Sequence, residues 1–242
     1  MNISGNSILV TGGSSGIGLG LAQALYARGN KVVICGRDRS RLEAAARKTP
    51  GLIPLYADIS APAGRDTLRE DALAVAPDLN MLVNNAGIQR RVKFRDDVAG
   101  WAERTQEIAI NFEAPIHLSA LFLPQLIGKR AATIVNVSSG LAFLPVTFAP
   151  VYAATKAGLH SFTIALRADL RDTSVSVIEI VPPMVDTGLG GTGIHAEGVS
   201  VDIFVEAVIE RIAAGEVEIG YGMSDTLRTA DRQELTMIMA KI

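Results

Sequence analysis

Three side chains in the middle of this 242-residue chain can hold or move a proton at an oxygen: Ser139, Tyr152 and Lys156. Reducing a carbonyl takes a hydride donor at the carbon and a proton donor at the oxygen. A tyrosine, with a pKa of about 10, is a poor base at neutral pH. A nearby lysine ammonium favours the phenolate and lowers that value. Tyr152 and Lys156 are four residues apart, so on a helix they share one face. Ser139 stands 13 positions before Tyr152, just after the apolar run 133–137. Its hydroxyl can hold a substrate oxygen as charge develops; Ser138 is its rival. Asn111 interrupts a long helical pattern, where an asparagine disfavours regular hydrogen bonding.

The hydride donor has a candidate berth near the start. Thr11-Gly12-Gly13-Ser14-Ser15-Gly16-Ile17-Gly18 follows the apolar strand 7–10 and opens a helical pattern of Leu19, Ala22, Leu25 and Tyr26. Gly12 permits the tight turn. Gly16 lets backbone approach a pyrophosphate at the helix N-terminus, and Gly18 lets helix and sheet pack closely. Ser14, Ser15 and Ile17 fill out the same phosphate-facing turn. Glycine runs also serve as plain loops; the partnership with Ser139, Tyr152 and Lys156 is what points to a nicotinamide oxidoreductase. An acidic residue ending the second strand would bind both ribose hydroxyls and repel a 2′-phosphate. Here Gly36 stands there, followed by Arg37, with Arg39 and Arg41 near. A guanidinium suits a phosphate. The reading is NADP, with Arg37 as main contact. NAD stays open, because a solvated basic loop reads the same way and Asp38 could merely cap the next helix.

The elements that position these residues alternate. Short β-branched runs at 7–10, 31–35, 53–57, 81–83, 133–137, 175–180 and 217–219 read as seven strands. Helical patterns lie at 17–28, 39–47, 63–75, 101–126, 152–171 and 201–213. Near-continuous apolar strands between helices mean a mostly parallel α/β sheet covered on both faces, and right-handed crossovers make it doubly wound, of Rossmann type. The irregular stretches 140–150 and 182–199 follow strands directly, where ligands sit in such sheets. Five glycines in 188–200 predict a mobile lid over substrate. One domain spanning 1–242 is the economical expectation.

These anchors, in this order, resemble the short-chain dehydrogenase/reductase family from Ser7 to about Tyr221: Thr11–Gly18, Asn84-Asn85-Ala86-Gly87, Asn111, Ser139 with Tyr152 and Lys156, and the 182–187 turn. The stretches 85–91, 111–117 and 218–222 are closer still to its DltE-like oxidoreductases. The resemblance implies Tyr152 as general acid/base and Ser139, rather than Ser138, as its partner. It implies that Lys156 reaches the nicotinamide ribose, and that the Asn111 backbone carbonyl holds a relay water. It implies adenine contacts at Asp58 and Ile59, although capping of the following helix is an alternative use for Asp58, with Ser60 the better cap. Asn85, Ala86 and Gly87 would line the adenosine side, with Asn84 stabilising the sheet. The nicotinamide amide would be held at Val185 and Thr187, although Pro182-Pro183 stands where the family usually has Pro-Gly. The resemblance further implies a homodimer or homotetramer through the helices at 101–126 and 152–171.

Composition narrows the partners. Lys+Arg 23 against Asp+Glu 25 offers no broad basic field for nucleic acid or anionic membrane. The single Cys35 excludes an internal disulfide, and its apolar strand suggests a buried thiol. The expectation is a soluble cytoplasmic protein. His117, His160 and His195 are scattered and read as no metal site, the first two lying away from acidic clusters and His195 on the lid or surface. The expected substrate is a small-molecule carbonyl or alcohol, medium-sized and polar. The pocket is expected among 140–150, 89–94 and the lid, where Gln89, Arg90 and Arg91 add polarity. Surface ion pairing explains those arginines equally well. A cofactor-bound regulatory protein without catalysis would lack Tyr152 or Lys156, and both are present. A flavin or S-adenosylmethionine protein does not require the Ser139, Tyr152 and Lys156 set.

Overall fold

The computed structural model describes residues 2–239. Seven strands form one parallel sheet: β1 Ser7–Thr11, β2 Lys31–Gly36, β3 Leu52–Tyr56, β4 Met81–Asn84, β5 Ala132–Val137, β6 Val175–Ile180 and β7 Glu218–Ile219. Their spatial order is β3-β2-β1-β4-β5-β6-β7. The chain therefore starts in the middle, builds outward one way, and returns to build the other. The reversal lies between β1 and β4. There the carboxyl ends of two adjacent strands feed connections that diverge, which leaves a crevice.

Helices cover both faces. They are α1 Gly16–Ala27, α2 Arg39–Lys48, α3 Pro62–Val75, α4 Trp101–Arg104, α5 Gln106–Ile108, α6 Ala114–Ile127, α7 Pro150–Asp169, α8 Val201–Ala213, α9 Met223–Thr229 and α10 Arg232–Met239. Alternation along each strand sorts the core. Ile8, Val10, Val32 and Ile34 pack with Leu21 and Leu25 of α1 and Phe204 and Val208 of α8. Leu9, Val33 and Cys35 point the other way, toward Leu68 of α3 and Leu118 and Phe122 of α6. Residues two apart share a face of a strand, so a strand that is apolar at every position feeds two cores. Cys35 is buried as expected, and burial pushes its thiol up to about 12.

The expected helix over 101–126 is instead four pieces. Between α5 and α6 lies a π turn, Ala109–Glu113. Pro115 explains the break. In a regular helix the carbonyl of Asn111 would accept from the N–H four residues on, and Pro115 has none. The π turn is tied across the molecule by Arg65 of α3, which is fully buried. Its guanidinium donates to the carbonyls of Ile59 and Ser60 at 2.7 and 3.0 Å and to Glu113 Oε1 at 2.7 Å. Ser60 does not cap α3. Ala61 holds the cap position, while the Ser60 N–H goes to Asp58 Oδ1 at 2.9 Å. Asp38 does cap α2, accepting from the Arg41 N–H. Strand β7 is one residue shorter than expected, although the Val217 carbonyl still accepts from Glu179 at 2.9 Å. No helix among the described residues is long and apolar enough to cross a membrane.

Candidate active site

The crevice is lined first by the turn after β1. Gly12 and Gly16 have φ of +65° and +54°, in the left-handed region that favours glycine. A Cβ on Gly12 would lie 2.9 Å from Ala86 Cα, and one on Gly18 would overlap the Asn85 amide and the Gly12 carbonyl. The turn is therefore packed against the loop after β4 with no room for side chains. Thr11 ties the two: its Oγ1 accepts from the N–H groups of Asn85 and Ala86, both at 3.0 Å. Asn85 Nδ2 donates back to the Thr11 carbonyl at 2.9 Å. Asn84 is buried in the sheet and donates to Asn136 Oδ1 at 2.9 Å, as expected of a sheet residue. Ser15, at the N-cap of α1, makes no side-chain cap bond, so the first-turn N–H groups of that helix face outward uncapped. An uncapped helix start behind a glycine turn fits a pyrophosphate.

At the end of β2 the three arginines differ. Arg39 lies over the Tyr56 ring at 4.4 Å, and Arg41 pairs with Asp38 at 3.3 Å. Arg37 is exposed and, among the described residues, makes no ion pair within 4 Å; its charge acts on Asp58. The Asp58 carboxyl sits below its usual range chiefly because Ser60 donates to it, with Arg37 adding to the effect. Ile59 is buried beside it.

The second wall is made of buried side chains. Tyr152 and Lys156 lie one turn apart on α7, 5 % and 3 % exposed. Ser139 ends the connection from β5 and starts a short turn, its Oγ accepting from the Leu141 N–H at 3.1 Å. Its hydroxyl is next to the Tyr152 phenol and favours the ionised form of that group. Lys156 Nζ donates to the Val137 carbonyl at 2.8 Å and lies 5.7 Å from the Tyr152 ring centre. Burial pushes Tyr152 up to about 12 and Lys156 down to about 8. This corrects the expectation that the ammonium depresses the phenol. Desolvation outweighs it, and the neighbouring Ser139 hydroxyl is the main opposing effect.

Asn111 sits in the π turn with its side chain clamped to Ile88: Oδ1 accepts from the Ile88 N–H at 2.9 Å and Nδ2 donates to the Ile88 carbonyl at 2.8 Å. Gly87, next along, is close to both groups, since a Cβ there would lie 3.4 Å from Asn111 Oδ1 and 3.6 Å from Lys156 Nζ. The structure thus brings Asn111, Ser139, Tyr152 and Lys156 to the end of the sheet where Asn85, Ala86 and Gly87 meet the glycine turn. Val185 is buried and Thr187 half-buried on the connection after β6, with Thr187 Cγ2 3.3 Å from where a Gly16 Cβ would stand.

Sequence reasoning missed several supports. Glu107 of α5 is buried and accepts from the Arg90 N–H at 2.9 Å, and burial raises its carboxyl. Arg90 is no pocket cation: its guanidinium is bidentate to Asp97 at 2.7 and 2.9 Å. Arg91 lies over the Phe148 ring at 4.2 Å. Phe148, Leu189 and Leu141 pack on the apolar cluster of Tyr152, Val146 and Ala149. His195 is buried, not superficial, and burial lowers its pKa. His160 does have acidic company: Nδ1 lies 2.8 Å from Glu179 Oε2, and Glu218 is close to both. The β6–β7 pairing, which brings Glu179 and Glu218 side by side, is the tertiary fact that spacing could not supply.

Comparison with known proteins agrees with this geometry. The short chain dehydrogenase family model matches residues 6–197. The chain is 45% identical over 239 residues to the uncharacterized oxidoreductase DltE of Bacillus subtilis (strain 168), covering 97% of this chain and 95% of that one. A short chain dehydrogenase from Burkholderia cenocepacia J2315, solved with NADP, superposes with a TM-score of 0.86 at 27% identity, covering 99% of each chain. A 3-ketoacyl-(acyl-carrier-protein) reductase from Brucella melitensis, solved with NADH, gives 0.83 at 26% identity over 92% of this chain and 100% of that one. With fold, glycine turn and sequence in agreement, the chain belongs to the short-chain dehydrogenase/reductase family and is an NAD(P)-dependent oxidoreductase.

Proposed function

We propose that this protein transfers hydride reversibly between NADP(H) and a small carbonyl or hydroxyl substrate, with Tyr152 as general acid/base. The observation that carries the proposal is a buried Tyr152 phenol beside Ser139 and one helical turn from a buried Lys156. A bound nicotinamide coenzyme would supply or accept the hydride. Tyr152, held protonated by its burial, gives its proton to the carbonyl oxygen during reduction and takes it back during oxidation. Ser139 directs its hydroxyl at the same oxygen and steadies developing charge. Lys156 supplies positive charge beside the phenol, and the Asn111 carbonyl, without its regular helical donor, accepts from the relay water behind it.

Cofactor contacts are read at Gly12, Ser14, Ser15, Gly16, Ile17 and Gly18 for the phosphates and at Asp58, Ile59, Asn85, Ala86 and Gly87 for the adenosine side. Val185 and Thr187 would hold the nicotinamide amide, with Tyr152 and Lys156 facing its ribose. The unpaired Arg37 beyond Gly36 favours NADP over NAD. The relatives solved with NADP and with NADH both accord with the wider class. The 188–200 segment is read as a lid, since Leu189 packs on the Tyr152 cluster. The whole chain is read as one cofactor-binding domain of the cytoplasm, and the exposed Ile108 and Ile164, on α5 and α7, suit a homodimer or homotetramer. Sedimentation at micromolar concentration should give a multiple of 25.6 kDa; a monomer refutes the assembly.

Tyr152→Phe is the decisive test. It should cut turnover by about a thousandfold and leave NADPH affinity within about twofold. Full activity in that variant refutes the mechanism.

A further inference from the structure

Glu179 lies on β6 behind α7, and its side chain is fully buried. A carboxylate in that position is costly unless charge is brought to it. Its Oε2 meets His160 Nδ1 at 2.8 Å, and its Oε1 is buried with no hydrogen-bond partner. The charged groups facing it come from three elements. From α7, His160 touches it, with Lys156 one turn before His160 and more than 4 Å away; from β7, Glu218 is beside it; Arg167 of α7 stands near His160, and Arg228 of α9 is 3.6 Å from Glu218. Arg167 spends donors on the carbonyls of Val177 and Val217, both at 2.8 Å. The Phe143 ring packs edge-on against His160 at 4.5 Å. His160 is one turn beyond Lys156, as Lys156 is one turn beyond Tyr152, so the three share a stripe of α7. His160, Glu179 and Glu218 offer ligand atoms within 4.8 Å of one another. Lys156, Arg167 and Arg228 already balance those carboxylates, and His160 and Glu179 bond each other, so no metal ion is called for.

We propose that Glu179, held in place by His160, is the buried counter-charge of Lys156 and a positioning residue for proton transfer at Tyr152. Its catalytic consequence rests on the role given to Lys156 above. Burial drives the Lys156 ammonium toward its neutral form, and the Glu179 carboxylate opposes that. His160 fixes the carboxyl in one orientation and is itself held protonated more readily by the contact. Glu179→Gln keeps the shape and removes the charge.

The test is a titration of the cofactor-free protein labelled with [13Cε]lysine. Only six lysines contribute, and Lys156→Arg assigns the resonance. In Glu179→Gln the Lys156 midpoint should fall by about one pH unit or more. The alkaline limb of the kcat profile should move down with it, and Glu179→Asp should restore most of both. His160→Asn keeps the Glu179 charge and should leave the Lys156 midpoint no lower than in the parent protein, and Glu179→Leu serves as the probe if Glu179→Gln does not fold. An unmoved Lys156 midpoint in a folded variant, judged by circular dichroism, overturns the proposal. So does zinc retained stoichiometrically through dialysis and lost in His160→Asn. If Tyr152→Phe proves fully active while the Lys156 midpoint still moves, the hydride-transfer mechanism fails and the counter-charge stands.

Discussion

The two walls of the crevice are built on opposite principles. The wall after β1 is backbone: glycines with no room for a Cβ, an uncapped helix start, and an exposed arginine, Arg37, that makes no ion pair among the described residues. The wall around α7 is side chain: Asn111, Ser139, Tyr152 and Lys156 are all buried, and Asn111, Ser139 and Lys156 each hold a hydrogen bond to the backbone. A backbone cradle recognises a shape shared by many cofactors and tunes it with one charge at the rim. A buried side-chain cluster sets proton positions, and its ionisation depends on everything packed behind it.

Substitutions can break that contrast. Tyr152→Phe carries the largest expected effect and belongs wholly to the side-chain wall, with turnover lost and cofactor affinity kept. Gly18→Ala should do the reverse. Its methyl would overlap Asn85 and the Gly12 carbonyl, so the turn must shift. NADPH affinity is expected to drop about a hundredfold, a loss of about 3 kcal/mol, with apparent melting lowered as well. Fluorescence titration checks it, and unchanged binding would mean that the cradle is not the cofactor site. Arg37→Ala sharpens the picture at the smallest scale. It should weaken NADPH about tenfold and NADH by less than about twofold, because a single charge-assisted contact contributes about 1.5 kcal/mol. Equal loss for both coenzymes would remove Arg37 from the 2′-phosphate.

Legibility in the sequence follows the same division. The glycine turn is readable because backbone constraints force particular residue types at fixed spacing. Tyr152 and Lys156 are readable because one helix carries both. The partners that set their charge are not, because they come from other elements. Glu107 is on α5 and Glu179 on β6, and nothing local distinguishes either from a surface acid. Pro115 is a different case. Its missing N–H marks the break at Asn111, but the apolar periodicity of 101–126 hides it. Helix α9 buries a single apolar residue, Leu227, and α10 buries none, so neither is marked by a core-facing run. Tertiary bonds hold α9 instead: Ser224 Oγ donates to the Val181 carbonyl at 2.6 Å, and Asp225 pairs with Arg211 and Arg228, both at 2.7 Å.

Arg65 gives the two walls a common ruler. One guanidinium spans from the carbonyls of Ile59 and Ser60, in the connection after β3, to Glu113 in the turn that carries Asn111. It is planar and stiff, and its burial leaves it no alternative partners in solvent. The spacing between the connection after β3 and the π turn is therefore set inside the protein before any ligand arrives. A lysine in its place would keep the charge but lose the fork, and the two ends would drift apart independently.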